Sequence, residues 1–306
     1  MENEKINSEN SLNLNINSET SENKYIKKKN KVNKKNDTVL DDETQPDFIM
    51  IDMSYFIFYR YYALLAWWKL AKPEEPLENP IENKEFVYKF NQTFVDKITE
   101  IPKKLKIKNF IYIAGLDCPK KNIWRNKLFE KYKEQRVYDD DFLGGPFFKI
   151  GLDLLKELNI PALKYDTFEA DDCIAIMTKN ILSKDVDNTI YIIANDMDYL
   201  QLAGPKVKIV NLKYKFLTDN KNCSGNPEKD LFCKIIMGDK SDNIPSIFNK
   251  CGIKTAIKCY EDKKYFEDRL KKENAYELYE RNKKLIDFNE IPLDDVYKFK
   301  KYNMHL

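Results

Sequence analysis

The sequence predicts an α/β fold, with a mainly parallel central sheet flanked by helices and a helical region after it. Short apolar runs alternate with longer amphipathic segments from Phe48 onward, three of those runs end beside an aspartate, and residues after 228 show no convincing strand. This alternation is the order of repeated βαβ units, whose strands pair in parallel.

The predicted strands are short and apolar. They cover Phe48–Ile51, Phe110–Ala114, Ile190–Ala194 and Val207–Leu212. Short, continuous apolar runs of this kind are typical of strands that are covered on both faces of a parallel sheet.

Amphipathic helices are predicted between the strands. In Glu85–Lys106, apolar side chains recur every four residues along one face: Phe86, Phe90, Phe94 and Ile98. Further helices are predicted over Pro146–Leu158 and over residues 167–182, where Thr167 is the expected N-cap. The inward face of this last helix is expected to consist of Ala170, Cys173, Ile174, Met177 and Ile181.

Composition divides the chain into three parts. Residues 1–45 are rich in Asn, Ser, Glu and Lys, which predicts a disordered tail. Its lysine run, from Lys27 to Lys35, fits a nuclear localisation signal, a non-specific nucleic-acid contact or an ordinary solvated tail. Residues 46–228 form the predicted α/β domain, and residues 229–306 the predicted helical region.

Residue counts exclude several kinds of chemistry. With 52 Lys and Arg against 50 Asp and Glu, the net charge of +2 favours no partner by itself. A single histidine, His305, argues against histidine bases, Ser/His/Asp triads and histidine metal ligands. Six cysteines without a Cys-x-x-Cys pair and without a secretion signal predict reduced thiols in an intracellular protein, cytoplasmic or nuclear. No apolar run is long enough to predict a membrane span.

Acidic residues stand at the end of each predicted unit. They are Asp52, Asp117, Asp196 and Asp198 after strands, Glu169, Asp171 and Asp172 in the first turn of a helix, and Asp239 and Asp242 in a turn. Because ligands of open parallel sheets collect at the carboxyl ends of the strands, we expect these side chains to converge there. For any one of them alone, a helix cap or turn former is the competing interpretation.

Converging carboxylates predict a metal site. Two ionised carboxylates about 4 Å apart repel by roughly 4 kcal/mol at an effective dielectric near 20, so a cluster of them needs cations. Oxygen ligands without His or Cys favour Mg²⁺, with Mn²⁺ as a substitute, and the usual partners of these ions are phosphates. Two such ions suit a phosphoryl displacement.

These motifs resemble the 5′-nuclease family of bacteriophage 5′-exonucleases, polymerase 5′-nuclease domains and flap endonucleases. The resemblance covers roughly residues 46–262. Its motifs are the strand ending in Asp52, the Asp117-Cys-Pro and Tyr132-Lys-Glu-Gln-Arg136 series, Glu169-Ala-Asp-Asp172, Asp196-Met-Asp-Tyr-Leu-Gln-Leu202, and Gly238-Asp-Lys-Ser-Asp-Asn-Ile-Pro245 followed by Gly252-Ile-Lys-Thr-Ala256. An insertion at Trp67–Glu82 resembles versions found in large DNA viruses.

The resemblance implies a PIN-like nuclease domain with a helix–three-turn–helix element, and it assigns roles to residues. The nine acids would hold two metal ions, and Arg125, Lys133 and Arg136 would line a helical arch at about 119–150 and grip the scissile phosphate. Gly252, Lys254 and Thr255 would bind duplex DNA at a helix start, where K⁺ is also implied. Cys251 departs from the family's Gly-Ile-Gly pattern in this turn.

The implied activity is metal-dependent 5′-3′ exonuclease or flap endonuclease action on DNA in replication or repair. A monomer is implied, with replication proteins as partners. Three alternatives stay open: removal of RNA from RNA–DNA hybrids by the same site, a non-catalytic DNA-binding scaffold, and a phosphatase on an acidic sheet edge. The scaffold would not need the complete acid set, and the phosphatase would not need the basic series.

Overall fold

The computed structural model describes residues 45–136, 142–184 and 187–303, so the predicted tail and its lysine run lie outside the described residues. The chain divides into two compact units. One, the helical unit, contains residues 57–111 and 143–160. The other, the sheet unit, contains the remaining described residues.

The sheet unit is built on a parallel sheet, which confirms the predicted fold class. Within the described residues, five strands lie in the order β3-β2-β1-β4-β5. Their bounds are Asp47–Asp52 for β1, Phe110–Gly115 for β2, Ala162–Leu163 for β3, Ile190–Ile193 for β4 and Val207–Val210 for β5. The strand order reverses direction at β1, which has β2 on one side and β4 on the other. Such a reversal opens a crevice at the carboxyl ends of the strands.

A helix packs closely on the sheet unit's strands. This helix, Ala170–Leu182, stands fourth among the α-helices in chain order and is called α4. A Cβ added at Gly115 would lie 2.7 Å from the side chain of Ile174, so a glycine is needed for this close approach. The predicted inward residues of α4 are all buried, which confirms that prediction.

The start of α4 differs from the prediction. Glu169, rather than Thr167, is the N-cap residue, and its backbone is extended. The backbone N–H of Glu169 donates to the Asp172 carboxylate at 3.2 Å. Because of this bond, the first turn of α4 begins two residues later than a Thr167 cap would allow. Glu169, Asp171 and Asp172 therefore lie at the very start of the helix.

The C-terminal part of the sheet unit is helical, as predicted. Its helices are α5 Pro227–Met237, α6 Ile253–Glu261, α7 Lys263–Glu273, α8 Tyr276–Ile286 and α9 Leu293–Asn303. Gly238 ends α5 with φ +73°, and a Cβ there would lie 2.3 Å from the carbonyl oxygen of Ile244. Only glycine allows this tight turn, which places Asp239 and Asp242 directly after α5.

The helical unit is held together by aromatic side chains. Its helices are α1 Met53–Ala71, whose first residues belong to the sheet unit, α2 Lys84–Leu105 and α3 Gly145–Glu157. The predicted apolar face of α2 is fully buried. The ring of Phe147 lies 4.8 Å from that of Phe90 and 5.1 Å from that of Tyr61, between ring centroids. Among the described residues, no helix has both the length and the apolarity that a membrane crossing requires.

Candidate metal centre

The nine predicted acidic residues come together in three adjoining groups. The strand-end group is Asp52, Asp117 and Asp196; the helix-start group is Glu169, Asp171 and Asp172; the turn group is Asp198, Asp239 and Asp242. In each of the last two groups, one oxygen from every carboxylate lies within 4.8 Å of the others. Five separate stretches of chain therefore contribute acids to one region.

The strand-end group lies at the carboxyl ends of β1 and β4. Asp52 is the last residue of β1, and it accepts hydrogen bonds from the Tyr55 N–H at 3.0 Å and the Tyr199 hydroxyl at 3.0 Å. Burial, together with the charges of Asp117 and Asp196, raises the pKa of Asp52 to about 7. Burial and the repulsion among these carboxylates together outweigh the two hydrogen bonds that favour the ionised form.

Asp117 links the strand-end group to the helix start. Its carboxylate accepts the N–H of Ala170, the first residue of α4, at 2.8 Å, and it also accepts the Ser54 hydroxyl. An acid at a helix N-terminus is stabilised by the partial positive charge there. This bond fixes the distance between the groups contributed by β2 and α4.

Within the helix-start group, Asp171 is the carboxylate that least favours ionisation. Burial raises its pKa well above the ordinary value, and the charges of Asp172 and Glu169 raise it further. Its Oδ1 accepts the N–H of Asp172 at 2.7 Å. A divalent cation beside Asp171 would remove this repulsion.

Arg125 is buried beneath the helix-start group, with 2% of its surface exposed. Its guanidinium donates to Asp172 at 2.7 and 2.8 Å and to Glu169 at 3.0 Å, and its Nε donates to the Leu285 carbonyl at 2.8 Å. Arg125 therefore lies beneath the acids, and its predicted place in an arch that grips the scissile phosphate stays a prediction. Two buried carboxylates need a bidentate partner, and Arg125 supplies it from inside.

Asp172 differs from the other acids because Arg125 alone holds both its oxygens. Besides Arg125, its Oδ2 accepts the indole N–H of Trp124 at 3.0 Å and the N–H of Glu169 at 3.2 Å. Asp172 is fully buried. Its contacts are those of a residue that positions the start of α4.

Tyr132 and Lys133 connect the helix-start group with the turn group. The Tyr132 hydroxyl lies 3.0 Å from Glu169 and 3.1 Å from Asp242. Lys133 pairs with Glu169 and lies 3.6 Å from Asp242. Burial alone would raise the pKa of Glu169, but Lys133 and Arg125 hold it below its ordinary value. Glu169 is therefore ionised at neutral pH.

A lysine of α5 offsets part of the negative charge of the turn group. Lys234 pairs with Asp198 and lies 2.7 Å from Asp239. Although burial opposes it, Lys234 lowers the pKa of Asp239 to about 2, so this carboxylate stays charged. Arg136 donates to Asp242 at 2.6 Å, and half of its side chain remains exposed. Of the three basic residues in the predicted series, Arg136 is the one most open to solvent.

The predicted arch at about 119–150 stays a prediction. Residues 119–136 contain the 3₁₀ turns Lys120–Asn122 and Trp124–Lys127 rather than a long helix, and α3 begins at Gly145. Residues 137–141 lie outside the described residues.

The predicted phosphate-binding turn starts a helix, as expected. Gly252 is the N-cap residue of α6, and Gly252, Ile253 and Lys254 are exposed. Thr255 donates its N–H to the Gly252 carbonyl at 3.0 Å. The cysteine at position 251 has not displaced the helix start.

Sequence reasoning gave no role to several residues that contact the acids. They are Tyr132, Tyr199, Lys234 and Trp124. Tyr132 precedes Lys133 in the motif that ends at Arg136, and Tyr199 follows Asp198 in the motif that begins at Asp196. Their position next to predicted site residues was the signal that could have identified them. Lys234 had a weaker signal, since it stands one helical turn before the Gly238-Asp239 turn.

The raised pKa of Asp52 predicts a stability effect. Between the ordinary value of 3.8 and about 7, the folded chain binds a proton that the unfolded chain releases, so metal-free stability falls as pH rises through this window. Asp52→Asn is therefore expected to raise the Tm by a few degrees at pH 8 in EDTA and to change it little at pH 4. Asp153→Asn, at an exposed site, is the control for thermal melts monitored by circular dichroism. Equal melting of wild type and Asp52→Asn at pH 8 would refute the raised pKa of Asp52.

Comparison with known proteins agrees with this geometry. A family model described as 5′-3′ exonuclease, N-terminal resolvase-like domain, matches residues 47–227. The 5′-3′ exonuclease of Buchnera aphidicola subsp. Schizaphis graminum is 34% identical over 152 residues, which are 47% of this chain and 50% of the relative. Ribonuclease H of Enterobacteria phage T4 is 29% identical over 202 residues, 59% of this chain and 65% of that protein. The chain thus spans about half the length of the first relative and just under two thirds of the second.

Solved structures share the fold. The T5 D15 protein co-crystallised with metal ions superimposes with a TM-score of 0.58 at 19% identity, over 85% of this chain and 98% of that one. The bacteriophage T5 D15 flap endonuclease in a pseudo-enzyme-product complex with DNA and metal ions gives 0.59 at 18% identity, over the same shares. With the family model covering more than half of the sequence, the chain belongs to the 5′-3′ exonuclease family that is defined by the N-terminal resolvase-like domain.

Proposed function

We propose that this chain is a divalent-metal-dependent 5′-nuclease that hydrolyses phosphodiester bonds of DNA with free 5′ ends or 5′ flaps, in replication or repair. The observation that supports it most is the convergence of nine acidic side chains from five stretches of chain. Among the described residues, four cationic side chains contact these acids, namely Arg125, Lys133, Arg136 and Lys234. The acids therefore exceed the cations by five, and this excess is the chemical reason to expect bound divalent ions.

The acids divide into two ligand sets. We assign Asp52, Asp117, Glu169 and Asp171 to one ion and Asp196, Asp198, Asp239 and Asp242 to a second, with Mg²⁺ as the expected metal and Mn²⁺ as a substitute. Asp172, whose two oxygens are both held by Arg125, positions Arg125 and the start of α4. When bound, such ions activate a water and neutralise charge on the phosphate.

We assign two basic side chains, Arg136 and Lys133, to binding of the scissile phosphate. Arg136 has a half-exposed guanidinium that is anchored at one end by Asp242, so its other face is available for a phosphate oxygen. Lys133, held between Glu169 and Asp242, supplies a compact charge at the same place.

Duplex binding is assigned to the start of α6. Backbone N–H groups at a helix N-terminus bind phosphate without reading bases, and Lys254 adds charge there. A K⁺ ion held by backbone carbonyls of this turn belongs to the same proposal.

Cleavage of defined substrates tests the proposal. The wild type and Asp196→Asn would be incubated with a 5′-labelled flap duplex, a blunt duplex and an RNA–DNA hybrid, with Mg²⁺ or with EDTA. We expect Mg²⁺-dependent cutting by the wild type alone. Products cut at the flap base indicate a flap endonuclease, and mononucleotides indicate an exonuclease. Equal cutting in EDTA, or by Asp196→Asn, would contradict the proposal.

The RNA–DNA hybrid is included because one relative is named ribonuclease H. The same acidic site could cut a DNA strand or an RNA strand, since the ions and the basic side chains would contact the phosphate rather than the sugar. Preferential cutting of the hybrid would assign the chain to RNA removal.

Salt dependence tests the α6 assignment. Lys254→Ala is expected to weaken duplex binding independently of sequence and to reduce the slope of log K against log salt by about one, because one phosphate contact is lost. The measurement is fluorescence anisotropy at several salt concentrations, with Lys301→Ala in α9 as the control. If both variants show the wild-type slope, the α6 start does not bind phosphate.

A further inference from the structure

A cavity lies beside the candidate metal centre, within the sheet unit. It measures about 470 Å³, and its walls include Asn195, Asn211, Tyr214, Lys215, Phe216 and Asn220. Met197 lines this cavity and also the cavity of about 280 Å³ that contains Asp198, Lys234 and Asp239. The two cavities are therefore neighbours that share Met197 as a lining residue.

The loop that forms one wall is preorganised. The Asn211 side chain accepts the N–H groups of Lys213 at 2.9 Å and Lys215 at 3.1 Å. Tyr214 adopts a left-handed conformation with φ +59°, and its N–H donates to the Asn211 carbonyl at 2.8 Å. An antiparallel bridge joins Val210 to Phe216. Because the backbone is already fixed, a ligand that contacts Phe216 does not have to order the loop first.

The wall chemistry matches a nucleobase. Phe216 keeps 38% of its surface exposed, and every base has a flat face that stacks on such a ring. The Asn195 side chain carries a donor and an acceptor, the pairing that base edges require, and the Asn220 amide adds a donor while its oxygen accepts the N–H of Asn222 at 3.0 Å. Asp219 is a further acceptor for an exocyclic amino group, and Lys215 is a cation for the adjoining phosphate. The volume lies within the range of about 300–1,000 Å³ that is usual for small-molecule sites.

We propose that this cavity, the base pocket, holds one unpaired nucleobase of the strand being cut, stacked on Phe216. The inference rests on the proposed nuclease function and extends it to a nucleotide beside the scissile phosphate. Since stacking does not depend on base identity, the pocket positions the strand more than it selects a sequence.

Fluorescence of 2-aminopurine tests the base pocket. Flap duplexes would carry 2-aminopurine in turn at each of the three nucleotides on either side of the cut, with Ca²⁺ in place of Mg²⁺ to prevent cutting. With the wild type we expect stacking to quench one position at least about twofold. Phe216→Ala is expected to abolish this quenching and Phe216→Tyr to preserve it. Tyr297→Ala, which removes an aromatic side chain that is 72% exposed in α9, is the matched control.

A second substrate keeps the test independent of the variant's folding. An abasic nucleotide at the quenched position is expected to weaken wild-type binding about tenfold, from the loss of one stacking contact. Phe216→Ala should bind the abasic and normal substrates equally.

The outcomes separate the two proposals. Mg²⁺-dependent cutting by the wild type, with identical quenching in wild type and Phe216→Ala at every position, overturns the base pocket and leaves the nuclease function intact. No cutting by the wild type in the same preparation overturns the nuclease function itself.

Discussion

Replacing Asp171 with asparagine is expected to slow flap cleavage by at least about a thousandfold, because one ligand charge at the metal centre is lost. Asp171 combines burial with repulsion from Asp172 and Glu169, so its carboxylate is the one whose ionisation depends most on a nearby cation. Single-turnover rates with saturating Mg²⁺ measure the effect.

The matched control is Asp166→Asn, an exposed aspartate that lies shortly before the same helix. It should cleave at the wild-type rate. In EDTA, Asp171→Asn should be at least as stable as the wild type, because it removes a repelled carboxylate. A variant that is folded, binds DNA and still cuts at the wild-type rate would mean that Asp171 is not a ligand.

Replacing Arg125 with methionine is expected to lower the free energy of unfolding by about 3–5 kcal/mol, the usual cost of removing one partner from a buried ion pair. The substitution leaves Asp172, which is fully buried, and Glu169 without their shared donor. Urea unfolding monitored by tryptophan fluorescence measures this loss.

Two further variants distinguish a lost ion pair from lost packing. Asp172→Asn in the Arg125→Met background should recover part of the stability, because the stranded charge is gone. Arg136→Met breaks a half-exposed pair with Asp242 and should cost less than about 1 kcal/mol. A stability loss of that same small size for Arg125→Met would contradict the buried-pair interpretation.

The sequence predicted the sheet well because its signals are local. Four apolar runs became four strands, and the four-residue spacing of Phe86 to Ile98 became the buried face of α2. The strand β3 was not named as a strand, since its two residues carry too little pattern. Acids that follow strands could be placed at one edge because the carboxyl ends of parallel strands meet there.

Side-chain partners were harder to predict, because they depend on tertiary contacts. Nothing local to Arg125 indicates that it donates to Leu285, which is 160 positions away along the chain. The pairing of Lys234 with Asp198 likewise depends on how α5 packs. The start of α4 was misplaced by a few residues because Asp172, and not Thr167, satisfies the first backbone donor.

If the three carboxylate groups together bind divalent cations, calorimetry with Mn²⁺ should detect that binding. We expect two ions for the wild type and for Asp166→Asn, and at least about tenfold weaker binding at both sites in the Asp171→Asn/Asp239→Asn double variant. Unchanged stoichiometry and affinity in that double variant would contradict it.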